Sequence, residues 1–581
     1  MRFRPDSTLR RIGPTIRLGG SPLRLWRFSE AGASHVDRLA SGTDVESVPG
    51  SATRALIERL VDAGVLHPDP TRPGAANGSA QPVHSAQPAQ PAQPVQPASR
   101  ELGAADVTVV IPVKDRVESL GRLLGSLRST IAAGSPVIVV DDARIDAAGH
   151  ADVASAHGVA YLRRERCGGP AAARNDGLAF VTTPLVAFLD SDCTVVDAST
   201  VRAASRGWEP SAGASTGRAA SGGASTGRAA SGGHLVENPS TVPRWLQAPL
   251  ALLDGLDVSV VAPRVRTPRS ASSVSPESSE SSSVSPESPL WPAVTTARLM
   301  GLQRYESLRS PLDMGTEPAR VAPGTRVSYV PAAALIARVG ALRSVGGFDT
   351  TLRVGEDVDL IWRLVDAGHR VRYEPTSVLE HPARADLRGW LRQRVDYGSS
   401  AAALDARHRS AAAPVRCSTW SALGWALMSL APAPSGPVAG AVVLAASAAA
   451  LPSRLDGVPP PVSLQLAVAG HLGAGRQLAR ATVRVWWPVS LPLALMWRPA
   501  RRALAVSVAV VAVEALLDAR RRDDPPHVGF ERPLRSCDLA VVSTLAVLDD
   551  AAYGVGVWLG CARQRSWRAL LPRFARSAHR L

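Results

Sequence analysis

Two aspartates separated by one residue, Asp190 and Asp192, follow a strand-length apolar run in this chain of 581 residues. Carboxylate oxygens are hard ligands, and a Mg²⁺ or Mn²⁺ ion held by them completes its shell with phosphate oxygens and water. Such an ion can neutralise the charge of a diphosphate leaving group. An isolated Asp-x-Asp is also common as a polar turn after a strand, so its surroundings must decide between the two interpretations.

A second pair of acids, Glu356 and Asp357, lies far downstream and directly before an apolar stripe formed by Leu360, Ile361 and Leu364. This spacing predicts a helix with both carboxylates in its first turn. Acids at that position can simply stabilise the helix N-terminus. Alternatively, one of them can act as a base that removes the proton from an attacking hydroxyl, opposite the metal and the leaving group.

Three apolar runs position these acids, at residues 107–116, 137–143 and 185–196. Each is rich in valine or other apolar residues and contains carboxylates at or near its end, and the segments between them show helical spacing. The pattern predicts an α/β domain with a parallel sheet, in which ligands bind at the carboxyl ends of the strands. Two later runs, at 258–265 and 327–338, are predicted to be further strands of this domain.

The order of the motifs resembles that of family 2 inverting glycosyltransferases, which have the Rossmann-like, nucleotide-sugar-binding A-type fold. The matching motifs are VVIPVKDR, VVDD, GGPAAARNDG, FLDSD and GGFDTTLRVGEDVDLIWRLVDAGHRV. A closer resemblance, which includes the first seventy residues, is to the glycosyltransferases of mycofactocin systems. It implies the metal-dependent transfer of a sugar, expected to be glucose, from a UDP-sugar to premycofactocin.

The resemblance also implies which residues bind the UDP-sugar donor. Arg392 and Arg394 could contact the donor phosphates, and they lie where processive relatives carry QxxRW. This chain lacks that motif, so the resemblance does not extend to a processive mode. The positions implied to border or hold the nucleotide are Pro112, Val113, Asp115, either Asp141 or Asp142, Arg174 and Asn175.

The implied metal ligands are Asp190 and Asp192, with Mn²⁺ or Mg²⁺ as the cofactor. His381, in LEHP, matches a position that often reaches the metal or the diphosphate, and a structural role is its alternative. Asp357 is the implied catalytic base, with Glu356 beside it.

Residues 1–70 are expected to form a small domain with a hairpin and two helices, similar to the PqqD-like winged-helix domains that capture precursor peptides. We expect this domain to recruit the acceptor or another protein of the mycofactocin pathway. A structural cap on the catalytic domain is the alternative.

Low-complexity segments divide the rest of the chain. Residues 71–103 form a Pro/Gln/Ala-rich linker, and 104–400 the catalytic domain. Two segments with repeated GASTGRAASG and SSVSPES, at 209–233 and 267–289, are expected to be surface insertions in that domain.

The C-terminal region, residues 401–581, is expected to be helical and apolar. Residues 418–453 carry no charge, which indicates a membrane span or a re-entrant hairpin, with a buried or interfacial helical pair as the alternative. Residues 485–497 are too short to span alone and are flanked by arginines that suit the anionic inner leaflet. We therefore expect the protein to associate with the cytoplasmic face of the cell membrane. The sequence leaves open whether one or two helices span the membrane.

Composition excludes several classes of function. The net charge of +15 comes from arginines, with Lys114 as the one lysine, and indicates compositional bias rather than binding to nucleic acid. The five scattered cysteines predict neither disulfides nor structural zinc. No apolar run of signal-peptide length follows Arg2 and Arg4, so secretion by that route is not expected. Two alternatives remain: transfer to a lipid or cell-envelope acceptor, and a catalytically inactive membrane-tethered binding scaffold.

Overall fold

The computed structural model describes residues 2–42, 51–70, 101–142, 147–196, 242–255, 257–268, 301–384, 386–409, 411–522 and 536–575. The linker up to residue 100, the insertion at 209–233 and residues 269–289 of the second insertion lie outside the described residues. The four cysteines within these ranges whose side chains are described are free thiols.

The N-terminal unit contains the expected hairpin and two helices. One small sheet pairs the first and last strands, and a second consists of the three strands between them. Its core is built by apolar residues of both helices and of the outer strands, including Phe3, Val36, Leu39 and Leu60. The elements are β1 (Phe3–Pro5), β2 (Arg10–Arg11), β3 (Ile16–Gly19), β4 (Arg24–Arg27), α1 (Glu30–Ala40), α2 (Ser51–Asp62) and β5 (Leu66–Pro68).

The catalytic domain is built on a nine-stranded sheet. Its strands are β6 (Val107–Val113), β7 (Val137–Asp141), β8 (Ala160–Arg163), β9 (Leu185–Leu189), β10 (Thr194–Val195), β11 (Val258–Arg266), β12 (Ala319–Arg320), β13 (Ala334–Arg338) and β14 (Arg370–Glu380). The order is β10-β14-β11-β13-β9-β6-β7-β8, and β12 pairs with β14.

The sheet is mixed, which corrects the expectation of a parallel sheet. Strands β6, β7, β8 and β9 are parallel, but β13 runs antiparallel to both β9 and β11. Strands buried on both faces consist of continuous apolar residues in either direction, so the apolar pattern contains no information about the direction of β13.

Helices cover both faces of this sheet, which confirms the α/β class. One core cluster packs α3 and α7 on the strands, with Leu120 and Trp245 at its centre, and another packs α6 and α10 on the opposite face, around Phe188 and Leu360. The helices are α3 (Val117–Ser126), α4 (Arg128–Ala132), α5 (Ala147–Ala156), α6 (Gly169–Ala179), α7 (Arg244–Gly255), α8 (301–309), α9 (Val339–Ser344), α10 (Glu356–Asp366), α11 (Leu387–Ser399) and α12 (Ala401–Arg407).

The C-terminal region is helical, as expected. The uncharged stretch forms two helices, α13 and α14, which cross closely where Gly424 and Gly440 face each other. The elements are β15 (Arg416–Ser418), α13 (Thr419–Leu430), α14 (Ser435–Ala449), α15 (Pro460–Arg484), α16 (Trp487–Met496), α17 (Arg498–Arg522), α18 (Ser536–Gln564) and β16 (Arg573–Ala575).

Among the described residues, two helical segments are long and apolar enough to cross a membrane by length and composition, Ser435–Arg454 and Asp538–Gln564. They differ in how much of the apolar window is buried inside the protein, at 17% for the first and 44% for the second. Apolar side chains on α16 are among the most exposed of the described residues, with Leu495 at 74% and Met496 at 87%.

The N-terminal unit packs against the beginning of β14. Arg370 donates to Asp62 at 2.8 Å, and the buried Arg372 donates to His67 at 2.8 Å. β14 has 11 residues but contains a bulge and pairs along its whole length with the 9 residues of β11, so at about 3.3 Å per residue of β11 it is roughly 26 Å long. Its other end leads directly to His381, and the N-terminal unit therefore lies far from that histidine.

Candidate functional site

A cavity of about 900 Å³ opens at the carboxyl ends of the parallel strands. The catalytic domain lines it with the end of β6, the start of α6, the segment after β9, the first turn of α10 and the residue after β14. The C-terminal helices α15 and α18 complete the lining. The cavity brings together both acidic pairs that the sequence singled out.

Asp190, Asp192 and His381 form a group whose potential ligand atoms all lie within 4.8 Å of one another. The backbone fixes this group, since the Asp190 N–H donates to Ala333 at 3.1 Å and the His381 N–H to Arg266 at 2.9 Å. His381 Nε2 lies 3.1 Å from Asp192 Oδ1. Two carboxylates and an imidazole are a ligand set that fits a divalent cation.

The charges around Asp192 keep it ionised. Burial alone would raise its pKa, but the hydrogen bond with His381 and the positive charges of Arg116 and Arg384 hold the pKa well below its usual range. Burial of His381 favours the neutral imidazole and would lower its pKa. The carboxylate of Asp192 has the larger opposite effect, so the pKa of His381 is raised. A positive charge is thus favoured beside Asp192, as a metal ion would supply.

Glu356 and Asp357 occupy the first turn of α10, as the apolar stripe predicted. The preceding Gly355 has φ of 83°, and a Cβ there would approach Ser400 to 2.9 Å, so both backbone and space require glycine. The Asp357 carboxylate accepts from the N–H groups of Val358 at 2.8 Å and Ala332 at 3.3 Å.

Burial raises the pKa of both acids. For Glu356 the neighbouring negative charge of Asp357 adds to this effect, and Arg174 opposes it. A raised pKa makes a carboxylate a stronger base, which suits proton abstraction from a hydroxyl.

Arg174, on α6, connects the two acidic pairs. One terminal nitrogen of its buried guanidinium donates to Asp190 at 2.7 Å and the other to Glu356 at 3.0 Å. The guanidinium also lies over the ring of Phe348, 5.3 Å from the centroid. The sequence analysis predicted Arg174 as a nucleotide-binding residue, and the structure adds a bridging position.

Asp142, rather than Asp141, lines the cavity. Its carboxylate accepts from the N–H groups of Gly168 at 2.8 Å and Gly169 at 2.7 Å and pairs with Arg164. Asp141 is buried on the other side of the strand, where it accepts from Tyr161 at 2.6 Å. Of the two alternatives that the sequence left open, Asp142 is therefore the one with access to a ligand.

Several residues predicted to bind the donor have other surroundings. The described lining includes Pro112 and Val113 but not Asp115 or Arg392, which are exposed outside it. Asn175 is also outside this lining, because its side-chain amide is engaged by the backbone N–H and C=O of one residue, Phe348, at 2.8 Å each.

Arg394 does line the cavity, but the side chain is held by protein acids. It pairs with Glu306 and lies 3.1 Å from Asp549, with its guanidinium over the ring of Trp390. These partners come from α8 and α18, and no short sequence motif reveals them.

Sequence reasoning missed the contribution of the C-terminal helices to the cavity. One signal was available, since two adjacent acids, Asp549 and Asp550, interrupt an otherwise apolar helix and must find partners when buried. The lining residues that come from α15 and α18 are Arg480, Arg484, Ala546, Asp549, Asp550 and Tyr553.

Comparison with known proteins assigns the family. The model of "Glycosyl transferase family 2" matches residues 108–204, which include Asp142, Arg174, Asp190 and Asp192. A protein of Mycobacterium tuberculosis, in strains CDC 1551 / Oshkosh and ATCC 25618 / H37Rv, is 34% identical over 98% of this chain and 96% of its own length. It is named "Pre-mycofactocin glycosyltransferase". This chain belongs to the pre-mycofactocin glycosyltransferase family.

The membership confirms the resemblance seen in the motifs, and this glycosyltransferase has the predicted α/β fold with a helical C-terminal region. Asp357 and His381 lie beyond the part matched by the family 2 model, so their roles depend on the geometry described above.

The solved structures that this chain matches are distant in sequence and give low TM-scores. The mannosyltransferase PcManGT from Pyrobaculum calidifontis, in complex with GDP-Man and Mn²⁺, is 15% identical, with 72% of this chain and 86% of that chain covered and a TM-score of 0.32. GalNAc-T7 with UDP, GalNAc and Mn²⁺ is 15% identical, with 50% and 47% covered and a TM-score of 0.29.

Proposed function

We propose that this glycosyltransferase transfers glucose from UDP-glucose to premycofactocin, with inversion at the anomeric carbon. The observation that carries the proposal is the Arg174 bridge, because it holds the metal-binding Asp190 and the acids of α10 around one cavity. The acceptor is inferred from the name of the M. tuberculosis relative, and the donor from the sequence resemblance.

The donor would lie between β6 and α6. Asp142, Pro112 and Val113 would border the nucleotide, and Lys114 and Arg116, which also line the cavity, would contact its phosphates. Arg116 pairs with Asp192. We propose that it exchanges this carboxylate for a donor phosphate when the metal binds, since guanidinium groups bind both.

Asp190, Asp192 and His381 would hold the cation. When bound, the metal supplies charge neutralisation for the departing diphosphate. The imidazole favours Mn²⁺ over Mg²⁺, because Mg²⁺ prefers all-oxygen coordination with several waters.

Asp357 would act as the base. The acceptor hydroxyl oxygen forms a bond to the anomeric carbon, while the bond from that carbon to the diphosphate oxygen breaks and its electron pair leaves with UDP. The hydroxyl proton passes to Asp357, whose pKa is raised by burial. Glu356 would position this turn through Arg174.

The N-terminal unit has two possible roles. We keep the proposal that it recruits premycofactocin or another protein of the pathway, as its resemblance suggests. A binding event there would act across the roughly 26 Å of β14, and the contacts of Arg370 with Asp62 and of Arg372 with His67 support the alternative of a structural cap.

The C-terminal region is proposed to associate with the cytoplasmic face of the membrane. The exposed apolar residues of α16 and the 17% burial of Ser435–Arg454 support insertion of these helices. For α18 we propose a place inside the protein, because Asp549 and Asp550 are paired with arginines of the cavity wall.

A second function is transfer to a lipid acceptor. An apolar cavity of about 1220 Å³ lies between the C-terminal helices, with Trp425, Leu493 and Val513 in its lining, and could take an acyl chain. A third reading, an inactive scaffold, is disfavoured because both acidic pairs are present and face the same cavity.

The test is Mn²⁺-dependent release of UDP from UDP-glucose with premycofactocin, with the mass of the acceptor as the readout. We expect a hexose increment with the wild type and none with Asp190→Ala or Asp357→Asn. Labelling of a lipid extract instead of premycofactocin would favour the second function. Full activity of Asp190→Ala would contradict the metal site.

A further inference from the structure

One wall of the catalytic cavity comes from the C-terminal region. Helix α18 lies against α11 without space between the backbones, since a Cβ added at Gly398, Gly556 or Gly560 would collide with the facing helix. Helix α15 adds Arg480 and Arg484 to the same lining. These contacts fix α18 against the catalytic domain.

The charges of this wall are matched. Arg394 pairs with Glu306 and Asp549, and Tyr305 donates to Asp549 at 2.9 Å. Asp550 pairs with Arg484 and lies 3.6 Å from Arg480. Three arginines thus face three acids: Arg394, Arg480 and Arg484 against Glu306, Asp549 and Asp550.

Three tyrosines line the cavity beside this wall: Tyr329, Tyr397 and Tyr553. In the part of the chain that the structure describes, their hydroxyl groups have no hydrogen-bond partner, although they are half-buried. Burial, and then the charge of Asp357, raise the pKa of Tyr329 to about 12. Its hydroxyl therefore remains a neutral hydrogen-bond donor at the working pH.

Tyr553 is the tyrosine contributed by the C-terminal region. The guanidinium of Arg484 lies over its ring at 3.5 Å from the centroid, and Arg484 is itself held by Asp550. This arrangement fixes the ring in the cavity from one side. Fixed aromatic rings and free hydroxyls are suited to stacking on a ring of a ligand and donating hydrogen bonds to it.

We propose that the C-terminal wall is the acceptor subsite. Tyr329, Tyr397 and Tyr553 receive a ring-bearing alcohol or phenol and direct its hydroxyl to Asp357. The proposal rests on the function proposed above and assigns part of acceptor recognition, through Tyr553, to a helix outside the catalytic domain. The C-terminal region then has a role in specificity in addition to any role at the membrane.

The experiment uses the full-length chain with UDP-glucose, Mn²⁺ and premycofactocin. For Tyr553→Ala we expect the KM for the acceptor to rise about tenfold, as loss of an aromatic contact implies. Tyr553→Phe should raise it less, because the ring remains. Val555→Ala on the same helix is the control, since this residue is 36% exposed and is absent from the described lining.

Calorimetric titration with UDP and Mn²⁺ separates loss of the subsite from loss of folding. We expect Tyr553→Ala to bind UDP with the wild-type Kd. An unchanged KM for the acceptor in Tyr553→Ala, or an equal rise in Val555→Ala, would overturn the subsite.

Failure of the proposed function has a different signature. If the wild type transfers glucose to a lipid extract and not to premycofactocin, the acceptor assignment is wrong, and the same variants are compared on the lipid. A selective rise for Tyr553→Ala there still supports the subsite. Absence of transfer to either acceptor would overturn both proposals.

Discussion

Arg174 and Glu356 are 182 residues apart in the sequence, and a 3.0 Å hydrogen bond joins them inside the cavity. The same guanidinium donates to Asp190 at 2.7 Å. One buried cation therefore stabilises a proposed metal ligand and the turn that carries the proposed base. A substitution that displaces Asp190 or Glu356 is therefore expected to affect the other residue through Arg174.

Replacing Arg174 by lysine tests this bridge. Lysine keeps the charge but presents one compact ammonium group instead of a planar fork, so it cannot satisfy Asp190 and Glu356 together. We expect kcat/KM to fall about 100-fold, in line with the cost of misplaced catalytic groups, and the Mn²⁺ requirement to rise. Arg122→Lys, an exposed arginine on α3, is the control. Activity within threefold of wild type would show that the bridge is dispensable.

Asp357→Asn tests the base. The amide preserves the shape of the side chain but cannot accept the hydroxyl proton, so we expect kcat to fall by about 10²–10⁴. The Kd for UDP should change little, which calorimetry can measure. Glu356→Gln is the comparison variant. A larger loss of kcat in Glu356→Gln than in Asp357→Asn would exchange the roles of the two acids.

The pH dependence of kcat follows from the same acids. A base with a raised pKa is protonated, and so inactive, at a higher pH than an ordinary carboxylate, which titrates near pH 4. As the pH is lowered, kcat should therefore begin to fall while the pH is still above about 4. Glu356→Gln removes a nearby negative charge and should shift this fall to lower pH. A profile that stays flat down to pH 4 would contradict a buried base.

The sequence predicted the parts of the site that depend on strand ends and on motif order. Asp190 and Asp192 follow β9, and the apolar stripe after Asp357 placed it in the first turn of α10. The sequence could not choose between Asp141 and Asp142. Successive residues of a strand point to opposite sides, so one of the two had to face away from the cavity.

Long-range partners account for what the sequence did not predict. Arg394 was expected at the donor phosphates, but its charge is engaged by acids from α8 and α18. Tyr553 reaches the cavity from the C-terminal region, through packing that no local pattern encodes. The sequence also could not predict the direction of β13, because the apolar pattern of a fully buried strand is the same whether the strand runs parallel or antiparallel to its neighbours.

His381→Ala tests the third metal ligand. Loss of the imidazole leaves two carboxylates, and we expect the Mn²⁺ concentration for half-maximal UDP release to rise at least about tenfold, as is common when a metal site is disturbed. High Mn²⁺ should restore much of the rate. His157→Ala, just beyond α5, is the control, since its imidazole contacts a backbone carbonyl of that helix. An unchanged Mn²⁺ requirement would assign His381 a structural role.

His67→Phe tests whether the N-terminal unit stabilises the catalytic domain. Burial lowers the pKa of His67 to about 4, so its imidazole is neutral and can donate to Asp6 while it accepts from Arg372. Phenylalanine leaves both charged partners without this contact, so we expect the free energy of unfolding to fall by about 3–5 kcal/mol. The measurement is thermal unfolding, in which the midpoint should be lower than that of the wild type.

The partly exposed pair of Arg370 and Asp62 provides the matched comparison, because Asp62→Asn should cost no more than about 1 kcal/mol. The kcat of folded His67→Phe enzyme should equal that of the wild type. His67 contacts Arg372, and the part of β14 from there to Glu380 runs beside residues 261–266 of β11, a distance of roughly 17 Å. A lower kcat without a lower unfolding midpoint would instead show that the N-terminal unit takes part in the reaction.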